Sequence, residues 1–294
     1  MSLDVVFNFF LIFPTRPVEL FGTLIMMPGM GMGVMGAAIG TVSAELVAAS
    51  ITMYILCFRS KELSLRIDTG RFLPTWGVVK RALHISLPMG LQQTIMCSAY
   101  VMTTIIIAPL GTFAIAANSF GVIIESLCYM PGYGIADAAT TLVGQSMGAG
   151  RHELMKRFAW LSVGLGVTVM AVMGVVMYVG APTAMAMMTP AEEVRRLGVE
   201  VLRIEAFAEP MFAAAIVSYG VFVGAAKTLV PSIMNLVSIW GVRISLAAML
   251  APSMGLRGVW IAMCIELCFR GIIFLVKLKF WNIQTSCKHY GKDQ

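Results

Sequence analysis

An isolated carboxyl group in a long apolar run is the side chain of this sequence best suited to chemistry. Glu125 lies in FGVIIESLCYMPGYG (residues 120–134), and no basic residue occurs within eight positions of it. A charged side chain inside a bilayer is costly and usually functional. Glu125 is therefore a candidate for proton or cation coupling, and the alternative is a structural pair with a basic group on another helix.

A second group of charges lies near the end of the chain. Glu266 and Arg270 are four residues apart and share a helical face, and Arg243 lies in the preceding apolar run. One interpretation is a proton or cation site at Glu266 gated by an arginine. We favour a buried ion-pair network that joins two helices, because two guanidinium groups keep one carboxylate ionised.

Three further acids carry weaker signals. Glu205 and Glu209 are also four residues apart, and Glu209 precedes Pro210. The two acids could attract organic cations, and Glu209 is therefore a third coupling candidate. The alternative is that Glu205 pairs with Arg203. Asp137 follows Pro131-Gly132, and we interpret it as the cap of a helix that resumes after a bend.

Several uncharged polar residues lie in the same apolar runs as candidates for a substrate cavity. They could orient a ligand, or they could form hydrogen bonds between helices. With one methionine they form the predicted cavity set: Gln92, Gln93, Met96, Tyr100 and Asn118. The sequence has 24 methionines, whose flexible thioethers suit a cavity that accepts many shapes.

Enzymatic and metal chemistry have no support in the sequence. The six cysteines form no CxxC pair, and the three histidines are far apart. We therefore predict no metal site, no disulfide framework, no cofactor and no catalytic residue, and we predict that the protein is not an enzyme.

Composition indicates an all-α polytopic membrane protein. Hydrophobic residues form 59% of the chain, charged residues form 12%, and the mean hydropathy is +0.85. In soluble domains about 45–50% of residues are apolar and about 25% are charged. The net charge of +6 is assigned to cytoplasmic loops and not to nucleic-acid binding.

About eight apolar segments are candidates for membrane spans. They cover residues 1–13, 33–58, 83–108, 112–136, 157–180, 199–225, 229–251 and 256–280. The first reaches only about 20 Å, short of the bilayer core of about 30 Å. The distribution of Lys and Arg predicts that both termini are cytoplasmic.

A weak internal repeat indicates the domain organisation. GVMGAAIG (residues 33–40) resembles GLRGVWIA (residues 255–262), and a glutamate follows each. This repeat predicts two homologous six-helix halves, as in secondary transporters. Residues 1–60 would then hold the last two helices of one lobe, of which the first is truncated. Residues 61–82 would form an amphipathic cytoplasmic connector, residues 83–280 a complete six-helix lobe, and residues 281–294 a cytoplasmic tail.

A glycine-rich turn carries the strongest resemblance to a known family. Pro131-Gly132, the run AATT (138–141) and GQSMGAGR (144–151) follow one another. Together with NFFLIF (8–13), GAAIGT (36–41), WGVRISLA (240–247) and GVWIA (258–262), they resemble the multidrug and toxic compound extrusion (MATE) family. The turn is not a phosphate loop, because residue 151 is Arg and no strand precedes it. Its glycines suit a helix end and close helix packing.

The resemblance implies twelve helices in two lobes, so this chain would match helices five to twelve and lack helices one to four. It implies an antiporter of the bacterial inner (plasma) membrane that exports amphipathic or cationic compounds in exchange for Na⁺ or H⁺. The alternatives are a flippase for lipid-linked glycans and an inactive fragment. Some relatives carry an acid in the helix that matches residues 83–108, and others an aspartate in the first helix. Neither acid has a counterpart here.

Overall fold

The computed structural model describes residues 2–20, 23–59 and 75–281. The chain divides into two compact units, residues 1–74 and residues 75–294, which are described separately. Residues 60–74, which hold most of the predicted connector, and residues 282–294, which hold almost all of the predicted tail, lie outside the described residues.

The described part of the first unit contains two helices and a β-hairpin. Helix α1 (Ser2–Ile12) leads into strands β1 (Pro14–Leu20) and β2 (Thr23–Met30), which pair antiparallel, and α2 (Gly33–Tyr54) continues as a π-helical turn (Ile55–Arg59). Gly36, in the first copy of the repeat, lies against the carbonyl group of Leu11 on α1, where a Cβ atom would not fit. The hairpin is absent from our sequence prediction.

The second unit is a helical bundle that holds the residues of chemical interest. Its elements are α3 (Trp76–Ile107), a 3-10 turn (Ala108–Leu110), α4 (Thr112–Gly148), α5 (His152–Met188), α6 (Glu192–Glu205), α7 (Glu209–Gly224), α8 (Leu229–Leu236), the π segment (Val237–Ile244), α9 (Ser245–Met254) and α10 (Leu256–Lys279). Helices α4, α5, α7 and α10 enclose the larger apolar core. A second core lies among α4, α5, α6, α9 and α10.

The predicted class of all-α polytopic membrane protein is confirmed. Among the described residues, 6 helices are long and apolar enough to cross a membrane, or up to 7 if the bent pair α6–α7 is one span. Many large apolar side chains point outward from these helices, as contact with lipid requires. Helix α1 has 11 residues and is too short to count as a span, so the number eight stays a prediction.

Two boundaries differ from the sequence prediction. The segment 199–225, predicted as one span, consists of parts of two helices that meet at 59° across residues 206–208. Helix α3 begins at Trp76, so the last residues of the predicted connector (61–82) are helical and continuous with the following span.

The sequence predicts that Pro131 and the glycines after it break or bend the helix; α4 continues through Pro131, so a break is wrong. Proline removes one backbone hydrogen bond, but the neighbouring Gly132 packs closely against Met170 and Ile216. Packing from α5 and α7 therefore holds the helix together at this point. Asp137 lies inside α4 and is exposed, so it does not cap a resumed helix.

Small residues bring α4 and α7 into close contact. The Thr140 hydroxyl shares its one hydrogen between the carbonyl oxygens of Gly220 and Ala136, each 2.9 Å away. A Cβ atom at Gly224 would collide with the Thr140 carbonyl oxygen. The two helices therefore form a tightly packed pair.

The glycine-rich turn is a helix C-terminus, as predicted. Helix α4 ends at Gly148, Gly150 has φ +68°, and the Arg151 amide donates to the Ser146 carbonyl. This is the geometry of a glycine-terminated helix. Gly144 lies against the Gly224 carbonyl of α7, but the expected packing role of Gly148 is wrong because open space surrounds it.

Candidate functional site

A polar cavity lies inside the second unit. Its volume is about 260 Å³, and its walls come from α3, α4, α7, the π segment and α10. Glu125, Arg243 and Arg270 supply its charged groups. Aromatic side chains form much of the remaining wall: Tyr100, Tyr129, Tyr133, Phe212 and Trp260. The cavity therefore combines an acid, two bases and several aromatic faces.

Glu125 faces this cavity and is 8% exposed. Its basic neighbours, Arg243 and Arg270, are distant in sequence but lie within electrostatic range of its carboxyl group. Neither arginine is within ion-pair distance of Glu125 among the described residues. The carboxyl group is thus near positive charge but is not locked in a salt bridge.

Glu266 occupies a different environment and is fully buried. Its Oε1 atom is 3.1 Å from Arg270 Nε, its Oε2 atom is 3.5 Å from Arg243 Nε, and the Ser238 hydroxyl donates to Oε1 at 2.6 Å. The arrangement corresponds to the ion-pair network that we favoured from the sequence. It joins α10 to the π segment.

The π segment positions two of the three partners of Glu266. Ser238 and Arg243 are five residues apart, and in an α-helix such residues point about 140° away from each other. The wider turn of a π-helix brings them closer to one face. Both side chains consequently reach the same carboxylate.

Two more glutamates lie at the break between α6 and α7. Glu205 ends α6 and Glu209 begins α7, and each is 1% exposed. None of their four carboxyl oxygens has a hydrogen-bond partner among the described residues. Glu205 lies within electrostatic range of Glu125, Glu209 and Glu266, and also of Arg243. We refer to the four acids as the buried acidic group. Arg203 lies over the Tyr178 ring instead of pairing with Glu205.

The predicted substrate residues separate into two sets. Met96, Tyr100 and Asn118 line the cavity, and Asn118 Oδ1 accepts a hydrogen bond of 3.1 Å from Trp260 Nε1. Gln92 and Gln93 do not line it. Gln92 Oε1 accepts a hydrogen bond of 2.6 Å from the Ser232 hydroxyl on α8, which corresponds to the interhelical alternative, and Gln93 is exposed.

Sequence reasoning missed the aromatic wall. Tyr129 and Tyr133 pack edge-on against Phe212, at centroid distances of 5.7 Å and 6.4 Å. The Arg270 guanidinium lies 5.5 Å from the centre of the Phe212 ring. The only local signal was the four-residue spacing of the two tyrosines, which places them on one face of α4.

The fold and this cavity define a polytopic α-helical integral membrane protein with an internal polar site. The family model MatE matches residues 88–249, which is more than half of the chain. The chain therefore belongs to the MatE family.

Curated relatives and solved structures agree with this assignment. A probable multidrug resistance protein NorM of Thermotoga maritima is 28% identical over 250 residues, which is 83% of this chain and 53% of the relative. One of Idiomarina loihiensis is 25% identical over 275 residues, 91% of this chain and 59% of the relative. The chain thus spans about half the length of these relatives.

Structural similarity extends over nearly all of the chain. An outward-facing multidrug resistance MATE family transporter of the MOP superfamily has a TM-score of 0.83 at 19% identity, covering 98% of this chain and 61% of its own. A MOP superfamily transporter from Pyrococcus furiosus has a TM-score of 0.80 at 19% identity. The match covers 95% of this chain and 59% of that transporter. At these identities the likeness establishes the fold.

Proposed function

We propose that this chain provides one lobe of a secondary active antiporter that exports amphipathic, cationic compounds in exchange for Na⁺ or H⁺. The observation that carries the proposal is the cavity, in which a carboxyl group lies among aromatic faces. Aromatic rings attract organic cations, and a nearby carboxylate adds electrostatic attraction. The names of the NorM relatives support multidrug compounds as the substrate class.

Ion exchange is assigned to three of the four buried acids, Glu125, Glu205 and Glu209, because Glu266 is held in the ion-pair network. Arg243 and Arg270 are the basic side chains within electrostatic reach of Glu125, and both already contact Glu266. Burying an ionised carboxylate without a partner is costly. The remaining acids are therefore suited to hold a proton or a cation, and Glu125 is the one that faces the cavity.

The lobe would work by alternating access against a second lobe. Substrate would enter from the cytoplasmic side, and inward movement of the ion would reset the lobes. The Lys and Arg distribution supports cytoplasmic termini, and a bacterial inner membrane is the proposed location. Because the chain covers about half of its relatives, we propose that helices one to four of the family complete the transporter.

Charge balance in the cavity favours cationic compounds over lipid-linked glycans. A pyrophosphate-linked substrate would need a cavity with an excess of positive charge. Here both cavity arginines lie at ion-pair distance from Glu266, and Glu125 adds a further acid.

Ethidium efflux from cells tests the proposal. The chain would be expressed alone and fused to the part of the Thermotoga maritima relative that it does not cover. We expect energy-dependent efflux from the fused form. A fused protein that inserts in the membrane but exports no ethidium or other cationic dye would contradict the proposal.

A further inference from the structure

A second cavity lies on the outside of the second unit, away from the polar site. It is a groove of about 360 Å³ beside the break between α6 and α7. Its lining residues come from α5, from the end of α6 with the following turn, and from α10: Tyr178, Arg203, Ile204, Phe207, Ile261, Cys264 and Ile265. All are apolar or aromatic except Arg203 and Cys264. We refer to it as the lateral groove.

Arg203 gives the lateral groove a positive charge that the protein does not neutralise. The guanidinium lies 5.2 Å from the centre of the Tyr178 ring, and Arg203 is exposed. Within the described part of the chain, no carboxylate lies at ion-pair distance from it. Glu200, the acid one turn earlier on α6, is already paired with Arg257 at 2.6 Å. Contact with a ring leaves the N–H donors of Arg203 available to an anion.

The depth of the lateral groove follows from charged residues on two helices. Arg257 and Lys277 flank the apolar part of α10 and are about 30 Å apart along it, one hydrocarbon thickness. Tyr178 is about 32 Å along α5 from Arg157, which places it near the same boundary as Arg257. Arg203 follows Glu200, the partner of Arg257, by about 5 Å along α6. The groove thus begins at a bilayer surface and extends into the hydrocarbon.

We propose that the lateral groove binds one anionic phospholipid. The phosphate contacts the Arg203 guanidinium, whose planar donors suit a phosphate group. One acyl chain lies on Phe207, Ile261 and Ile265, each of which lines the groove. Tyr178 lies at the headgroup level, where aromatic side chains are enriched. Basic groups between membrane helices are a general means of binding lipid headgroups.

Native mass spectrometry of the full chain in an uncharged detergent tests this inference independently of export. The protein would be mixed with phosphatidylglycerol or with phosphatidylcholine of the same acyl chains. We expect one retained phosphatidylglycerol and weaker retention of phosphatidylcholine. Arg203→Gln should lower retention of phosphatidylglycerol about five- to tenfold, since one basic group near the surface contributes about that factor. Arg203→Lys should retain more than Arg203→Gln.

Matched variants separate the specific site from general charge. Arg196→Gln removes the same charge from an exposed position two turns earlier on α6, and it should leave lipid retention unchanged. Phe207→Ala should weaken both lipids alike, because it removes an acyl contact. Circular dichroism confirms that each variant is folded.

Three results would overturn the inference. The first is phosphatidylglycerol retention by Arg203→Gln equal to that of the unmodified chain. The second is equal retention of the two lipids by the unmodified chain. The third is displacement of phosphatidylglycerol by soluble glycerol phosphate, which would indicate a site for free phosphate and not for a lipid.

Discussion

The buried glutamates of the second unit differ in the groups around their carboxyl oxygens. Glu266 has two arginines and a serine hydroxyl as partners. Glu205 and Glu209 have no hydrogen-bond partner in the described part of the chain, and Glu125 faces a cavity. One residue type therefore serves as a structural anion at one position and as a candidate exchange group at another.

The ion-pair network around Glu266 should be important for stability. Glu266→Gln leaves the buried Arg270 and the partly buried Arg243 without their carboxylate, and breaking such a pair from one side costs about 3–5 kcal/mol. We expect a large fall in the thermal unfolding temperature in detergent. The exposed Glu200–Arg257 pair is the control, because Glu200→Gln should cost about 1 kcal/mol or less. Equal unfolding temperatures for the two variants would show that the network is not structural.

The environment of Glu125 shows the limit of sequence reasoning at this scale. Its isolation in sequence was real, but folding brings Arg243 and Arg270 within electrostatic range of it. Contacts between helices cannot be obtained from the spacing of residues within one helix. The network of Glu266 was accessible from the sequence because Arg270 is a neighbour on the same helix.

At the scale of elements, the apolar spans were predictable and their irregularities were not. A bilayer requires about 20 apolar residues for each helix, and the predicted segments from residue 33 onward coincide with observed helices or helix pairs. Composition does not distinguish a π turn from an α turn, so the π segment was missed. The hairpin Pro14–Met30 was missed because strand pairing depends on backbone contacts that its sequence pattern does not show.

The turn after α4 should depend on glycine at one position. Gly150 has φ +68°, and a side chain in this left-handed region costs about 1–2 kcal/mol. Gly150→Ala should lower the thermal unfolding temperature. Gly148→Ala, in helical backbone with open space around it, should leave it unchanged or raise it slightly. A lower unfolding temperature for Gly148→Ala than for Gly150→Ala would contradict the assignment of Gly150 to the left-handed turn.

Close packing of α4 and α7 gives a second prediction at this scale. A Cβ atom at Gly224 would collide with the Thr140 carbonyl oxygen, so Gly224→Ala should cost about 1–3 kcal/mol through strain. A Cβ atom added at Gly164 on α5 would have no neighbouring atom within 4 Å. Gly164→Ala should therefore be neutral or stabilising. Chemical unfolding in mixed micelles would measure both. Equal unfolding free energies for Gly224→Ala and Gly164→Ala would contradict the close contact of α4 with α7.

At the scale of the whole molecule, the cavity and the buried acidic group occur together in the second unit. The bundle is apolar enough to lie in lipid, yet it encloses charged side chains, which oppose membrane insertion, beside a wall of aromatic rings. Polar groups inside membrane proteins are costly and usually mark pathways for substrates or ions.

The most direct test is gradient-driven ethidium transport in proteoliposomes by the fused transporter, with Glu125→Gln compared with Glu153→Gln. Glu153 is an exposed acid in the first turn of α5, outside the cavity. We predict that Glu125→Gln abolishes transport driven by an imposed H⁺ or Na⁺ gradient, while the protein stays folded and Glu153→Gln transports normally. Undiminished gradient-driven transport by Glu125→Gln would contradict the assignment of ion exchange to Glu125.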